Sequence, residues 1–284
     1  MKEPGRAILV LGPSGTGKST FALSALEALG GGVTLLAPGF DEISSYRPLW
    51  EDNDECQILQ VAPEITLEPA KWHFVAVDDN DFVPSLGEWK ADGLKQTINF
   101  LRYILAETRA SVEANDPLPW PVLVTDTVTA LLDEFCVNTL LARNKADVPP
   151  PAMSPDGAAF YGGLKTLMRQ VFRQCRAIRG YGVHWIATGH VQEKTASSTS
   201  LPGAATKQTE HMPLVTGAFR ESLPAAFDVV AHTGVERGED GEHYLLLKPD
   251  SKRAAKVRGV RIRDAKISND WSALLQQLQG NTDD

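Results

Sequence analysis

Residues Gly12-Pro13-Ser14-Gly15-Thr16-Gly17-Lys18-Ser19 follow the apolar run Ala7-Ile8-Leu9-Val10-Leu11 and read G-x-x-x-x-G-K-S. A buried strand, a glycine-rich turn and a helix starting near Lys18 are the context in which this spacing makes a phosphate-binding loop. The glycines let the backbone curl so that successive N–H groups point inward at phosphate oxygens. The positive end of the following helix adds to the same cradle. Gly12, Pro13, Ser14, Gly15, Thr16, Gly17, Lys18, Ser19 and Thr20 are therefore the expected nucleotide-binding residues. The Lys18 ammonium is expected to reach the β- and γ-phosphates, and the Ser19 hydroxyl to ligate Mg²⁺.

Composition sets the frame around this loop. The chain has 284 residues, 43% of them hydrophobic, enough for one sizeable core. No apolar run approaches the roughly 18 residues of a membrane span, which argues against a membrane partner. Met1 to Arg6 lead straight into the first strand, an arrangement read as leaving no room for a signal peptide. Cys56, Cys136 and Cys175 are odd in number, far apart and set in apolar surroundings. They read as reduced thiols of a cytoplasmic protein, not as disulfides or zinc ligands. A net charge of −8 argues against a protein that coats duplex DNA with its whole surface, but leaves room for a local basic channel.

Downstream, apolar spacing predicts a helix from Ser19 to Leu29 stopped by Gly30-Gly31-Gly32, then strands at 33–37 and 57–61. Leu94, Ile98, Leu101 and Leu105 mark an amphipathic helix over about 93–113. A core strand at 121–126, a helix carrying Leu131, Leu132, Phe135 and Leu140, a long helix through Leu164 to Ile178, and a strand at 183–188 follow. Residues 144–157 are rich in proline and read as a loop. Residues 191–212 are rich in Ser, Thr, Ala and Lys and read as a second, mobile loop. Asp228–Val235 and His243–Lys248 suggest a C-terminal β-hairpin, with a short strand near 260–262 and a helix near 271–278. This alternation predicts an α/β, three-layer P-loop NTPase with a mainly parallel central sheet.

Hydrolysis requires an acidic residue at the end of a hydrophobic strand to hold Mg²⁺, and Val122-Leu123-Val124-Thr125-Asp126 supplies one. Asp126 or Thr127 would alternatively cap the next helix. For the water-activating carboxylate the choice is Glu42, with Asp41, Asp78 and Asp79 as alternatives or as solvated loop acids. His190, after Thr188-Gly189, is expected near the γ-phosphate as a sensor of nucleotide state, or else as a surface histidine at a strand exit.

The order of these pieces resembles RecA-like ATPases, and most closely the compact phage-type RecA-like nucleotide-binding proteins linked to single-strand annealing and recombination. The residues that carry the resemblance are Gly12 to Ser19, Val122 to Thr127, Ala187 to His190, Phe227 to Val230 and Lys256-Val257-Arg258. On this basis residues 1–265 form the core, with 72–89 as an insertion and 266–284 as a helical tail. The resemblance implies ATP and Mg²⁺ as cofactors and a homo-oligomeric ring or filament. In such an assembly Lys256 and Arg258, spaced i, i+2, would complete a neighbouring subunit's site, with Lys248, Lys252 and Arg253 as reserves. The bland alternative for Lys256 and Arg258 is an exposed basic strand.

The resemblance also implies that both loops face single-stranded DNA, which makes Arg143, Lys145, Lys194 and Lys207 the expected DNA-binding residues. Recombination or replication proteins would be further partners, in a cytoplasmic setting that is a bacterial host's if the chain is phage-borne. Three functions compete: a DNA-dependent ATPase, a P-loop switch acting on a protein partner, and a small-molecule kinase. The Ser/Thr-rich loop lacks the arginines that a kinase lid needs.

Overall fold

The structure, a computed structural model, describes residues 3–37, 46, 56–62, 65–77, 82–83, 88–89, 91–198, 206–215, 219–236 and 241–279. Its core strands are β1 (Ala7–Leu11), β2 (Gly32–Leu36), β3 (Cys56–Gln60), β4 (Trp72–Ala76), β7 (Val122–Asp126), β8 (His184–Gly189) and β11 (Val229–Val235). They pair side by side in the order β11-β1-β8-β7-β2-β4-β3, every pair parallel. Beyond β11 the sheet turns antiparallel through β12 (His243–Leu246) and β14 (Lys266–Ser268), while β13 (Lys256–Val257) also pairs with β11. A short pair, β5 (Phe82–Val83) with β6 (Glu88–Trp89), stands apart from this sheet.

Parallel strands buried on both faces need apolar side chains in both directions, and β1 shows the consequence. Ala7, Leu9 and Leu11 join one core while Ile8 and Val10 join the other. The first core lies under α2 (Gly93–Glu113), α3 (Val137–Asn144) and α4 (Pro155–Arg179). The second lies under α1 (Lys18–Leu29) and α5 (Trp271–Gln279). The three-layer α/β architecture, mainly parallel with a C-terminal hairpin, is thus the one the sequence spacing predicts.

Several boundaries differ from the sequence expectation. Trp72–Ala76 is no insertion, because β4 sits between β2 and β3 in the sheet. Residues 191–212 are not an irregular loop but mostly an antiparallel hairpin, β9 (Val191–Ser198) with β10 (Thr206–Pro213). Their polar composition hides the strands, since a two-stranded ribbon off the main sheet needs no apolar face. The proline-rich loop ends early, because the Ser154 hydroxyl accepts from the Gly157 amide at 2.9 Å and Pro155 opens α4, a standard helix start. The helix predicted after Asp126 starts at Val128 and passes through a π-helical stretch at Leu131–Cys136, which a pattern of apolar residues does not reveal. The edge strands fall at 256–257 and 266–268 rather than at 260–262.

The division at residue 265 is also overturned. β14 is a strand of the main sheet, and α5 packs on α1 through Trp271, whose ring lies 6.2 Å from Phe21 and 5.0 Å from His184. The Ser24 hydroxyl accepts from the Trp271 amide at 2.9 Å. Residues 266–279 therefore complete the second core. Replacing the fully buried Trp271 by alanine should cost about 3–5 kcal/mol, read as a lower urea midpoint.

Two histidines, His73 and His232, are buried and His184 is half-buried, and desolvation lowers the pKa of each. His232 is pushed down to about 4, and His73 and His184 move in the same direction. Since the folded value lies below the unfolded value of about 6.5, the unfolded chain binds more protons between those limits. Stability should be full above pH 6.5 and fall toward pH 4, His232 alone contributing on the order of 3 kcal/mol. Urea midpoints across that range test this, and His232→Gln should flatten the profile.

Candidate nucleotide site

All parallel strands end on the same side, and the glycine-rich turn sits there between β1 and α1. Two of its glycines are there for space or conformation. A Cβ on Gly12 would lie 2.1 Å from the Thr233 hydroxyl, and Gly17 caps α1 with φ 92°, its would-be Cβ 2.5 Å from the Asn269 amide nitrogen. The turn is tied to the antiparallel side of the sheet. Thr16 and Thr233 share a 2.7 Å hydroxyl hydrogen bond, Thr233 also donates to the Leu11 carbonyl at 3.3 Å, and Asn269 Nδ2 donates to the Gly17 carbonyl at 2.7 Å. Lys18 is 7% exposed and turns its ammonium onto the Gly12 and Pro13 carbonyls, at 3.2 and 2.8 Å.

Asp126 is the centre of the site. It is 1% exposed, and a carboxylate buried that deeply needs donors around it. Ser19 donates to Oδ2 at 3.1 Å, Tyr46 donates to Oδ2 at 2.5 Å, and Thr188 donates to Oδ1. The capping alternative falls to its neighbour: the Thr127 side chain accepts from the Ala130 amide at 3.1 Å. Thr125 accepts from the Trp185 indole at 3.2 Å. Asp126 is thereby left free of helix capping, beside the Ser19 hydroxyl.

These groups open on a cavity of about 230 Å³ lined by Ser14, Gly15, Gly17, Lys18, Ser19, Thr20, Asp126, Thr127, His190 and His243. His190 is half-buried, and its amide donates to the Thr129 hydroxyl at 3.1 Å. Burial, with Lys18 nearby, pushes its pKa below the usual histidine value, against a smaller upward pull from Asp126. The imidazole is neutral at pH 7 and can accept or donate one hydrogen bond without adding charge. Among the described residues no group of three or more His, Cys, Asp or Glu gathers as a metal cage. A hydroxyl beside a carboxylate, both oxygen donors, instead suits Mg²⁺ held partly by phosphate and water.

Not every expected residue joins this site. Glu42 lies outside the described residues, as do Asp41, Asp78 and Asp79. Lys256 pairs opposite Val230, level with Leu9, and Arg258 donates from its amide to the Asp228 carbonyl at 2.9 Å and from Nη2 to the Ala225 carbonyl at 2.9 Å. Both are at the amino end of β11, away from their own chain's cavity, and Arg258 lies just past the two-residue β13. Asp228, one of the residues carrying the family resemblance, is structural: it pairs with Arg179 at 2.8 Å and accepts from the Ala7 amide at 3.0 Å. Arg143 and Lys145 are exposed at the end of α3. Lys194 and Lys207 lie on opposite strands of the β9–β10 hairpin.

Tyr46 and His243 are site residues that sequence reasoning misses. Tyr46 is fully buried, packs with its ring tilted against Phe74 at 5.1 Å between centroids, and reaches Asp126 from the segment after β2. No motif marks it. His243 opens the short strand β12, and only the sheet brings it beside Gly17.

Lys18→Ala should abolish hydrolysis, measured as phosphate release, because among the described residues no other Lys or Arg lines this cavity. Tyr46→Phe keeps the ring on Phe74 but removes one hydrogen bond to a charged group, a loss of about 1.5–3 kcal/mol. It should lower the urea midpoint and weaken Mg²⁺-dependent nucleotide binding together.

A family model described as an AAA domain matches residues 5–259 of this chain. Among solved structures, the RadB recombinase is similar at 13% identity and a TM-score of 0.40, over 86% of this chain and 80% of that one. The flagellar accessory protein FlaH from Methanocaldococcus jannaschii is similar at 12% identity and a TM-score of 0.37, over 93% and 89%. No curated protein matches the sequence. With the family match spanning nearly the whole chain and the phosphate loop, Asp126 and sheet order all in place, the chain belongs to the AAA domain family of P-loop ATPases.

Proposed function

We propose that the chain is a Mg²⁺-dependent ATPase whose turnover is coupled to single-stranded DNA through the β9–β10 hairpin. One observation carries this reading. β8 carries Thr188, which holds Asp126, and ends at Gly189; the chain then passes through His190, which lines the cavity, and enters β9 at Val191. A change at the phosphates therefore has a covalent route of a few residues to a hairpin bearing Lys194 and Lys207.

The residues divide the work by position. The loop amides and Lys18 bind the triphosphate, and Ser19 and Asp126 would hold Mg²⁺. When bound, the ion neutralises charge that develops on the phosphate oxygens. The phosphate cavity adjoins a second of about 540 Å³, sharing Thr20 and His243 and including Tyr244 and Lys266, which gives the base and ribose room. ATP is the nucleotide assigned, since the N-K-x-D match at Asn144-Lys145-Ala146-Asp147 falls at the end of α3 and lines neither cavity, so it is not placed to read a guanine base. Lys256 and Arg258, turned away from their own cavity, are assigned to a neighbour's site in a ring or filament, and Arg143 and Lys145 to the DNA-facing side.

A protein-directed switch is the second reading. It is favoured by the net charge of −8 and by the absence of Phe, Trp and Tyr from both hairpin strands, which leaves no stacking platform there. Steady-state ATP hydrolysis with and without single-stranded oligonucleotide, at low and moderate salt, separates the two. Coupling predicts a several-fold, salt-sensitive stimulation, reduced in Lys194→Ala/Lys207→Ala. Hydrolysis indifferent to DNA would favour the switch.

A further inference from the structure

α4 carries Lys165, Arg169, Arg173, Arg176 and Arg179, and no acidic residue after Asp156. Arg179 turns inward to Asp228 at 2.8 Å. The other cations do not. Arg169, Arg173 and Arg176 are exposed and Lys165 is half-exposed, and among the described residues none has a carboxylate within ion-pair distance. At 100° per residue they fall in one stripe, opposite the buried Leu164, Leu167, Val171 and Ile178. Lys165, Arg169 and Arg173 are each one turn apart, a rise of about 6 Å.

A row of this kind is unfavourable for the helix itself. Like charges at i, i+4 repel, and the helix dipole favours cations only in the last turn, which Arg176 reaches and Lys165, Arg169 and Arg173 do not. Surfaces that serve solubility intersperse both signs. Acidic residues outnumber basic ones 36 to 28 in the chain, yet they are excluded from this face. We infer that the exposed face of α4 is a docking surface for the phosphodiester backbone of a nucleic acid. Three guanidinium groups to one ammonium suit phosphate, which Arg grips in two-pronged fashion. The net negative charge of the chain repels polyanions in general, so a concentrated cationic face such as this one orients the approach of one.

The inference rests on the proposed action on nucleic acid but places contacts on a helix rather than on the loops and hairpin. Fluorescence anisotropy of a labelled single-stranded oligodeoxynucleotide, and of the matching duplex, is measured against salt for the full chain. The variant Lys165→Gln/Arg169→Gln/Arg173→Gln/Arg176→Gln should flatten the log–log salt slope for the single strand by about 3, at 0.7 per lost contact. Arg169→Gln/Arg173→Gln should flatten it by about 1.4 on the same basis, and serves if the fuller variant does not fold, which nucleotide binding reports. The duplex arm tells which form of the backbone is gripped. Unchanged slope and affinity in the variants, no DNA binding by the parent chain at low salt, or equally tight binding of polyglutamate would overturn the assignment. DNA-stimulated hydrolysis with an unchanged slope would remove the α4 face and leave the ATPase reading standing. A slope that depends on α4 with hydrolysis indifferent to DNA would do the reverse.

Discussion

Three hydroxyl groups converge on one buried carboxylate, and the site depends on that convergence. Ser19 brings the start of α1 to Asp126, Thr188 brings the end of β8, and Tyr46 brings the segment after β2. A carboxyl group at 1% exposure is stable only when such donors replace water. The need to satisfy Asp126 therefore fixes the relative positions of three chain segments far apart in sequence. The same carboxylate is the group best placed to orient a metal ion. Structural and chemical demands fall on one residue.

The sheet makes this convergence possible. Parallel strands deliver their carboxyl ends to one edge, where an α/β sheet binds its ligands, and here that edge gathers Leu11, Asp126 and Gly189. The antiparallel extension has a different task. Through Thr233, Asn269 and His243 it buttresses the phosphate loop from the far side. The C-terminal segment is thus part of the nucleotide site as well as of the core, which explains why its Trp271 packs directly on the helix that the loop begins.

Legibility in the sequence followed the range of the signal. The phosphate loop, the helix at 93–113 and the strand ending in Asp126 were readable because each is a local pattern enforced by local geometry. Wherever partners are distant, the pattern fell silent. Tyr46 has a role only because β2 and β7 are neighbours, and His243 only because β12 folds back on β11. Trp72–Ala76 looked like an insertion since the polar stretch before it obscured the crossover that returns it to the sheet. The β9–β10 hairpin was hidden for the opposite reason: a ribbon that lies off the main sheet carries no hydrophobic alternation to read.

The most direct test of the central claim is the Mg²⁺ dependence of ATP binding, measured by calorimetry on the parent chain and on Asp126→Asn. If Asp126 orients the metal, both proteins bind ATP alike without Mg²⁺, and only the parent chain gains affinity when Mg²⁺ is added. An equal gain in the two would contradict the account and reduce Asp126 to a structural hub.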